Sequence, residues 1–134
     1  MNNGKIAVIG AGKWGQALHF ALNSNQECFI TSRTKRDIKN FVPLDFALSC
    51  EYLIIAIPAQ EIKTWLKENF VFKGQKILVA SKGIEANSGE FLNEIYSSFV
   101  PDENIGFISG PSFAAEVIKG LPCALVIKKK KKKI

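Results

Sequence analysis

At 134 residues the chain has room for about one domain, burying about two-thirds of the surface that its unfolded form would expose. A hydrophobic content of 47% with 10% aromatic residues excludes a disordered chain, and the longest apolar run, near Tyr52 to Ala59, is far too short to span a bilayer. The formal net charge of +6 comes from the run Lys128 to Lys133, since the remaining basic and acidic residues balance at 12 each; with no basic face elsewhere and no aromatics interleaved in the run, nucleic-acid binding is not expected.

The first predicted strand, Lys5 to Ile9, carries the continuous apolar run Ile6, Ala7, Val8, Ile9 of a strand buried on both faces of a parallel sheet. It runs straight into Gly10, Gly12 and Gly15. Gly10 permits a tight turn, Gly12 lacks the β-carbon that would keep a diphosphate off the backbone, and Gly15 lets the next helix pack closely on the strand. That helix, Lys13 to Asn23, repeats apolar residues at Trp14, Ala17, Leu18, Ala21 and Leu22, the spacing of one buried face, and aims its positive dipole end at the turn. A strand before the glycines and an amphipathic helix after them supply the context that makes this a dinucleotide site. His19 within the helix is expected as a surface or packed histidine, and one histidine makes no metal site.

The second strand, Cys28 to Thr31, should end in an acidic residue about 20 positions past the glycines to hold the ribose hydroxyls. No acid stands there; Ser32, Arg33, Thr34, Lys35 and Arg36 form a hydroxyl and cationic cluster suited to a 2′-phosphate. This favours NADP over NAD, the alternative being a merely solvated turn. After a short connection come a strand at Tyr52 to Ile57, a helix near Glu61 to Asn69, a strand at Lys76 to Ala80, a helix near Gly89 to Phe99, a strand at Ile105 to Ile108, a short helix from Phe113 to Lys119 and a strand at Cys123 to Ile127. Strand and helix alternate with no internal repeat, which predicts a Rossmann-type α/β domain over residues 1–127 with a doubly wound, mostly parallel sheet. Ligands of such sheets bind beyond the carboxyl ends of the strands. Pro58, Ala59 and Gln60, then Ser81, Lys82 and Gly83, then Gly110, Pro111, Ser112 and Phe113 all follow strands and should converge on one cleft with the glycine turn.

The segments GAGKWGQAL at Gly10 to Leu18, AIPAQ at Ala56 to Gln60, SKGIE at Ser81 to Glu85 and SGPSFAAEVIKGLPCA at Ser109 to Ala124 resemble, in that order, the NAD(P)-dependent glycerol-3-phosphate dehydrogenases of bacterial type. SKGIE together with SGPSFAAEV is what separates this family from other dehydrogenases. The resemblance covers Lys5 to about Val126 and implies hydride exchange between NAD(P)H and dihydroxyacetone phosphate, giving sn-glycerol 3-phosphate for phospholipid synthesis. It implies that Trp14 and Arg33 line the cofactor site, that Lys82 touches both substrate and nicotinamide, that Gly110 and Ser112 contact substrate, and that Ala114 contacts cofactor. With Gly10, Gly12, Lys13, Gly15 and Pro58 these complete the expected site, in which no metal takes part. An ammonium at Lys82 can polarise a carbonyl oxygen and offset the charge that develops on it; Ser112 can also serve as a helix N-cap.

Two departures from the family pattern stand out. Between Arg33 and Tyr52 there is little room for the extra strand and loop of many relatives, so the adenine side of the pocket should be more open. The helical second domain of the family, which carries the lysine that resembles a general base, is not in these 134 residues. The expectation is therefore dinucleotide binding with little or no turnover, and self-association through apolar residues around Phe107, Phe113, Val117 and Leu121 that a second domain would cover. Residues 128–134 form an abnormal lysine-rich end that a slip of reading frame would explain, testable by sequencing the gene through the tract. Cys28, Cys50 and Cys123 are odd in number and form no C-x-x-C pair, so buried free thiols in a reducing compartment are expected, and since the N-terminus carries no signal-peptide pattern a cytoplasmic home is the default expectation. Two other functions compete: a non-catalytic dinucleotide-binding module, and a dehydrogenase for another small hydroxy substrate. A change of cofactor affinity on adding substrate discriminates between them.

Overall fold

The computed structural model describes residues 2–24, 27–80 and 94–107. Five strands, β1 (Asn2–Ile9), β2 (Cys28–Thr31), β3 (Cys50–Ile55), β4 (Lys76–Val79) and β5 (Ile105–Phe107), form one sheet in the order β2-β1-β3-β4-β5. All four pairings are parallel. From β1 the chain moves to one side to make β2 and then crosses back past β1 to make β3 on the other side, so the strand order reverses between β1 and β3. This is the Rossmann-type, doubly wound arrangement expected from the alternation of elements.

The apolar runs are continuous because both faces of the sheet are covered. Successive side chains alternate between two cores. Ala7, Ile9, Leu53, Ile55, Ile77, Val79 and Ile105 face one side, where Ala47 of α2 (Leu44–Leu48), Ile62 and Leu66 of α3 (Ala59–Asn69), and Ile95 and Tyr96 pack on them. Ile6, Val8, Ile30, Ile54 and Leu78 face the other, under Leu18 and Leu22 of α1 (Lys13–Asn23). Each such fully buried aliphatic side chain contributes about 1.5–3 kcal/mol relative to exposure.

Several boundaries differ from the sequence expectation. β1 begins at Asn2, and its pairing with β3 is interrupted between Asn2 and Ile6. β3 runs from Cys50 rather than Tyr52 and stops at Ile55, because the chain turns away toward Pro58 while its apolar run continues through Ala56 and Ile57. The short helix α2 interrupts what was expected as a plain connection; Pro43 is its N-cap and Asp45 lies in its first turn, where a carboxylate meets the positive end of the helix dipole. On α1 the buried residues are Gly15, Leu18, His19 and Leu22, with Trp14 and Ala21 half-buried, while Ala17 is exposed. His19 takes that place because its Nε2 lies 2.7 Å from the carbonyl oxygen of Cys28, which satisfies the ring inside the core.

Among the described residues the connection between β2 and β3 adds no further strand to the sheet. Where an extra strand would extend the sheet beyond β2, a single parallel bridge joins Ile30 to Phe41, flanked by backbone bonds from Ile30 to Asn40 and from Val42 to Ile30. Residues 94–97 are helical and 98–99 form a turn, so the helix expected to reach Phe99 stops two residues earlier, while 89–93 lie outside the described residues. The expected helix from Phe113 to Lys119, the strand from Cys123 to Ile127, Ile108 at the end of its strand, and the lysine run lie outside the described residues.

Candidate dinucleotide site

The carboxyl ends of the strands are level. Thr31, Ile9, Ile55, Val79 and Phe107 are register partners in a row across the sheet. Three backbone bonds extend the ladder one residue further, from Gly10 N–H to Thr31 (2.9 Å), from Ala56 N–H to Ile9 (2.8 Å) and from Ala80 N–H to Ile55 (3.0 Å). The segments following β1, β2, β3 and β4 therefore emerge at one height, and the glycine turn sits among them at the point where strand order reverses, the standard ligand crevice of an open parallel sheet.

Each glycine of the turn has a different geometric reason. Gly10 has φ +114°, and a β-carbon there would lie 2.8 Å from the carbonyl oxygen of Ala56, so both its conformation and its closeness to the end of β3 require glycine. A β-carbon on Gly15 would lie 1.9 Å from the carbonyl oxygen of Gly10, which shows how tightly α1 is drawn onto the turn. Around Gly12 nothing lies within 4 Å of that position. Gly12 is the N-cap of α1 and brings no side-chain hydrogen bond to the helix end, and there is no acidic residue in the first turn. Amides of a first helical turn have no acceptor inside the helix, so this uncapped end of α1, with open space at Gly12, has the chemistry of an anion site. The Gln16 side chain closes the turn from behind, donating to the carbonyl of Ala11 (2.8 Å).

Trp14 is half-buried, and its indole N–H donates to the carbonyl oxygen of Ala80. The ring thus reaches from α1 past β3 to the end of β4 and ties down the residue before Ser81. Ser81, Lys82 and Gly83, together with Gly110, Ser112 and Ala114, lie outside the described residues. Arg33 stands at the end of β2 with its side chain 91% exposed, and its Nη2 lies 3.9 Å from Oε1 of Glu61 in the first turn of α3. Ser32 Oγ donates to the carbonyl of Thr34 and shapes the bend that carries Arg33. Lys13 and Pro58 are exposed at the same end, Pro58 as the N-cap of α3.

Gly10, Gly12, Lys13, Trp14, Gly15, Arg33 and Pro58 all lie just beyond the carboxyl ends of β1, β2 and β3 or at the start of α1. Two participants were not anticipated from sequence: Ala80 as the acceptor for Trp14, and Glu61 as the partner of Arg33. An acid immediately after the Pro58-Ala59-Gln60 segment was the available sign of the second.

Groups whose titration is displaced sit elsewhere, in the core or at the amino ends of the strands. Burial pushes the thiol of Cys28 up to about 12 and that of Cys50 up to about 11. Burial also lowers His19 below its ordinary value, against the opposing effect of its bond to Cys28. Glu51 accepts from the Gly4 N–H (2.6 Å) and from Lys76 (3.0 Å), which hold its carboxyl below the usual range. Among the described residues there is no cluster of three or more metal-ligating side chains and no helix long and apolar enough to cross a membrane.

Residues 33–134 match the family model described as NAD-dependent glycerol-3-phosphate dehydrogenase N-terminus. Over 123 residues the chain is 63% identical to a protein of Sulfurimonas denitrificans named glycerol-3-phosphate dehydrogenase (NAD(P)+), covering 92% of this chain and 42% of that one. In Campylobacter jejuni a protein of the same name is 61% identical, with 92% and 41% covered. Among solved structures, the glycerol-3-phosphate dehydrogenase of Coxiella burnetii superposes with a TM-score of 0.56 at 21% identity, over 86% of this chain and 43% of that one. The chain thus spans about two-fifths of the length of the curated relatives it matches. On the extent of the family match, the chain belongs to the NAD-dependent glycerol-3-phosphate dehydrogenase N-terminal family.

Proposed function

We propose that these residues form the dinucleotide-holding part of an enzyme that exchanges hydride between NAD(P)H and dihydroxyacetone phosphate, producing sn-glycerol 3-phosphate as a glycerophospholipid precursor. The observation that carries this is the turn at Gly10 to Gly15, set at the strand-order reversal with open space at Gly12 in front of the uncapped end of α1. Its amides and the exposed Lys13 suit the diphosphate; Ser32 and Arg33 suit the ribose end; Trp14 and Pro58 form walls. Lys82 and Ala114 are assigned to the nicotinamide end, and Lys82, Gly110 and Ser112 to the substrate phosphate and carbonyl. Bound nicotinamide supplies the hydride; the chain's part is to hold, align and neutralise charge.

NAD and NADP both suit this site, with Arg33 and the absence of an acid on β2 favouring NADP. Residues 1–127 are assigned to the binding domain and 128–134 to a separate lysine-rich end. Two buried, free thiols suit a reducing, cytoplasmic setting. Calorimetric titration of the 134-residue polypeptide with NADPH and NADH should show binding of both, and dihydroxyacetone phosphate should alter cofactor affinity. Little or no loss of NAD(P)H absorbance is expected in its presence, because substrate contacts and a general base from elsewhere in the family's longer proteins normally supply several orders of magnitude of rate. No heat with either coenzyme, from a polypeptide shown to be folded, would reject the assignment.

A further inference from the structure

The usual dinucleotide fold places a carboxylate at the end of its second strand to accept hydrogen bonds from the adenosine ribose. Here that strand ends at Thr31 and is followed by Ser32 and Arg33, and a carboxylate from another element reaches the Arg33 guanidinium. Oε1 of Glu61 lies 3.9 Å from Nη2 of Arg33. Arg33 follows β2 and Glu61 lies on the helix that follows β3, and β1, which leads into the glycine turn, lies between those two strands in the sheet. The two partners are held differently. Glu61 is fixed by its helix: its N–H donates to the carbonyl of Pro58 (2.9 Å), and the next residue, Ile62, is fully buried in the core. Arg33 rides on an exposed bend, with its guanidinium free to turn to a ligand.

We propose that Glu61 is the residue that sets the balance between phosphorylated and unphosphorylated nucleotides, an inference that rests on the dinucleotide assignment above. With an unphosphorylated ribose, the Glu61 carboxylate accepts from the diol while Arg33 offsets its charge. With a 2′-phosphate, the phosphate competes for Arg33 and is opposed by the carboxylate beside it. Glu61 thus supplies from α3 the acid that β2 lacks and moderates the cationic end of β2, so that one site accepts both coenzymes.

The test is the dissociation constant of NADPH and of NADH, by calorimetry, for the 134-residue chain and its Glu61→Gln and Arg33→Gln variants. Both side chains are solvent-facing, and circular dichroism should show both variants folded. Glu61→Gln should raise the ratio of NADPH to NADH affinity about fivefold, the range of an exposed charge pair. Arg33→Gln should lower that ratio. The gain from Glu61→Gln should shrink when salt is raised, as screening of exposed charges requires. If both coenzymes bind and the ratio in Glu61→Gln equals that of the parent chain, the role of Glu61 is refuted while the dinucleotide assignment stands. If neither coenzyme binds the folded parent chain, both fall together.

Discussion

Substituting alanine at Gly12 and at Gly15 separates what the turn does for the fold from what it does for a ligand. At Gly15 the new β-carbon would sit 1.9 Å from the carbonyl oxygen of Gly10 and 2.9 Å from its carbon, both backbone atoms that cannot swing aside. Restoring ordinary contact requires α1 to move off the turn by about 1.5 Å, in an interior packed too densely to absorb it. That displacement loosens Leu18 and Leu22 in their core and stretches the 2.7 Å contact between His19 and Cys28. Overpacking costs about 1–3 kcal/mol and a weakened buried hydrogen bond about 1 more, so Gly15→Ala should lose about 2–4 kcal/mol out of a total of about 5–15. At Gly12 the β-carbon meets nothing within 4 Å, and φ of −75° is ordinary for alanine. Reduced freedom of the unfolded chain and a poorer N-cap nearly cancel, leaving stability within about 1 kcal/mol of the parent. A methyl group in the diphosphate cradle should nevertheless weaken NADPH binding by about tenfold or more, a loss of about 1.4 kcal/mol. Urea titration followed by circular dichroism gives the first quantity and calorimetry the second. A Gly15→Ala chain as stable as the parent would refute the close helix packing, and a Gly12→Ala chain that binds with parental affinity would refute the diphosphate position.

The remaining expectations concern groups away from the opening. In a Cys123→Ser background, Cys28 and Cys50, raised to about 12 and about 11, should resist a thiol reagent at pH 8 until urea unfolds the chain; labelling in the native state would show that they are not buried. Because burial holds His19 below its ordinary 6.5, the unfolded chain binds the proton more readily, so its contribution to stability is complete above pH 6.5 and is lost as pH falls below that value. The urea midpoint should drop between about pH 7 and pH 5 in the parent and less so in His19→Gln. Glu51→Gln removes a charge pair with Lys76 at the amino end of the sheet and should cost about 0.5–1 kcal/mol, read as a lower urea midpoint at pH 7, with NADPH affinity unchanged. The Glu51 contribution is present above its ordinary value of 4.5 and disappears as pH falls, so parent and variant should converge in acid.

Where structure depends on short-range pattern, the sequence was informative. Lys13–Asn23 and Cys28–Thr31 have the bounds expected of them, because the glycine turn fixes where α1 starts and four consecutive buried residues fix β2. The alternation of strand and helix was enough for the sheet's parallel pairing. What escaped has local or non-local physical causes. The five-residue helix α2 is too short for a helical period to register. Ala17 looks apolar and His19 polar, but burial follows angular position around the helix, and a carbonyl within reach of the ring at Cys28 decides the contest in favour of histidine. Trp14 with Ala80, and Arg33 with Glu61, are contacts between residues 66 and 28 positions apart, set by strand order rather than by neighbours in the chain.

Strand order and the geometry of the glycine turn are consequently inseparable, whereas the charges of Arg33 and Glu61 can change without disturbing either. The level row from Thr31 to Phe107 exists because each strand's alternate residues serve opposite cores, and a slip of one register position would turn every buried side chain to the wrong face while displacing the glycine turn from Ala56. Gly10 and Gly15 are bound to that register by backbone contacts that no other residue tolerates. Arg33 and Glu61 sit at its rim with side chains 91% and 50% exposed and bury little against the core. Surface charges of this kind change at a cost near zero to folding. A change at either one should therefore alter which coenzyme is preferred while leaving the unfolding transition where it was, and a large loss of stability in Glu61→Gln would mean that the carboxylate serves α3 rather than a ligand.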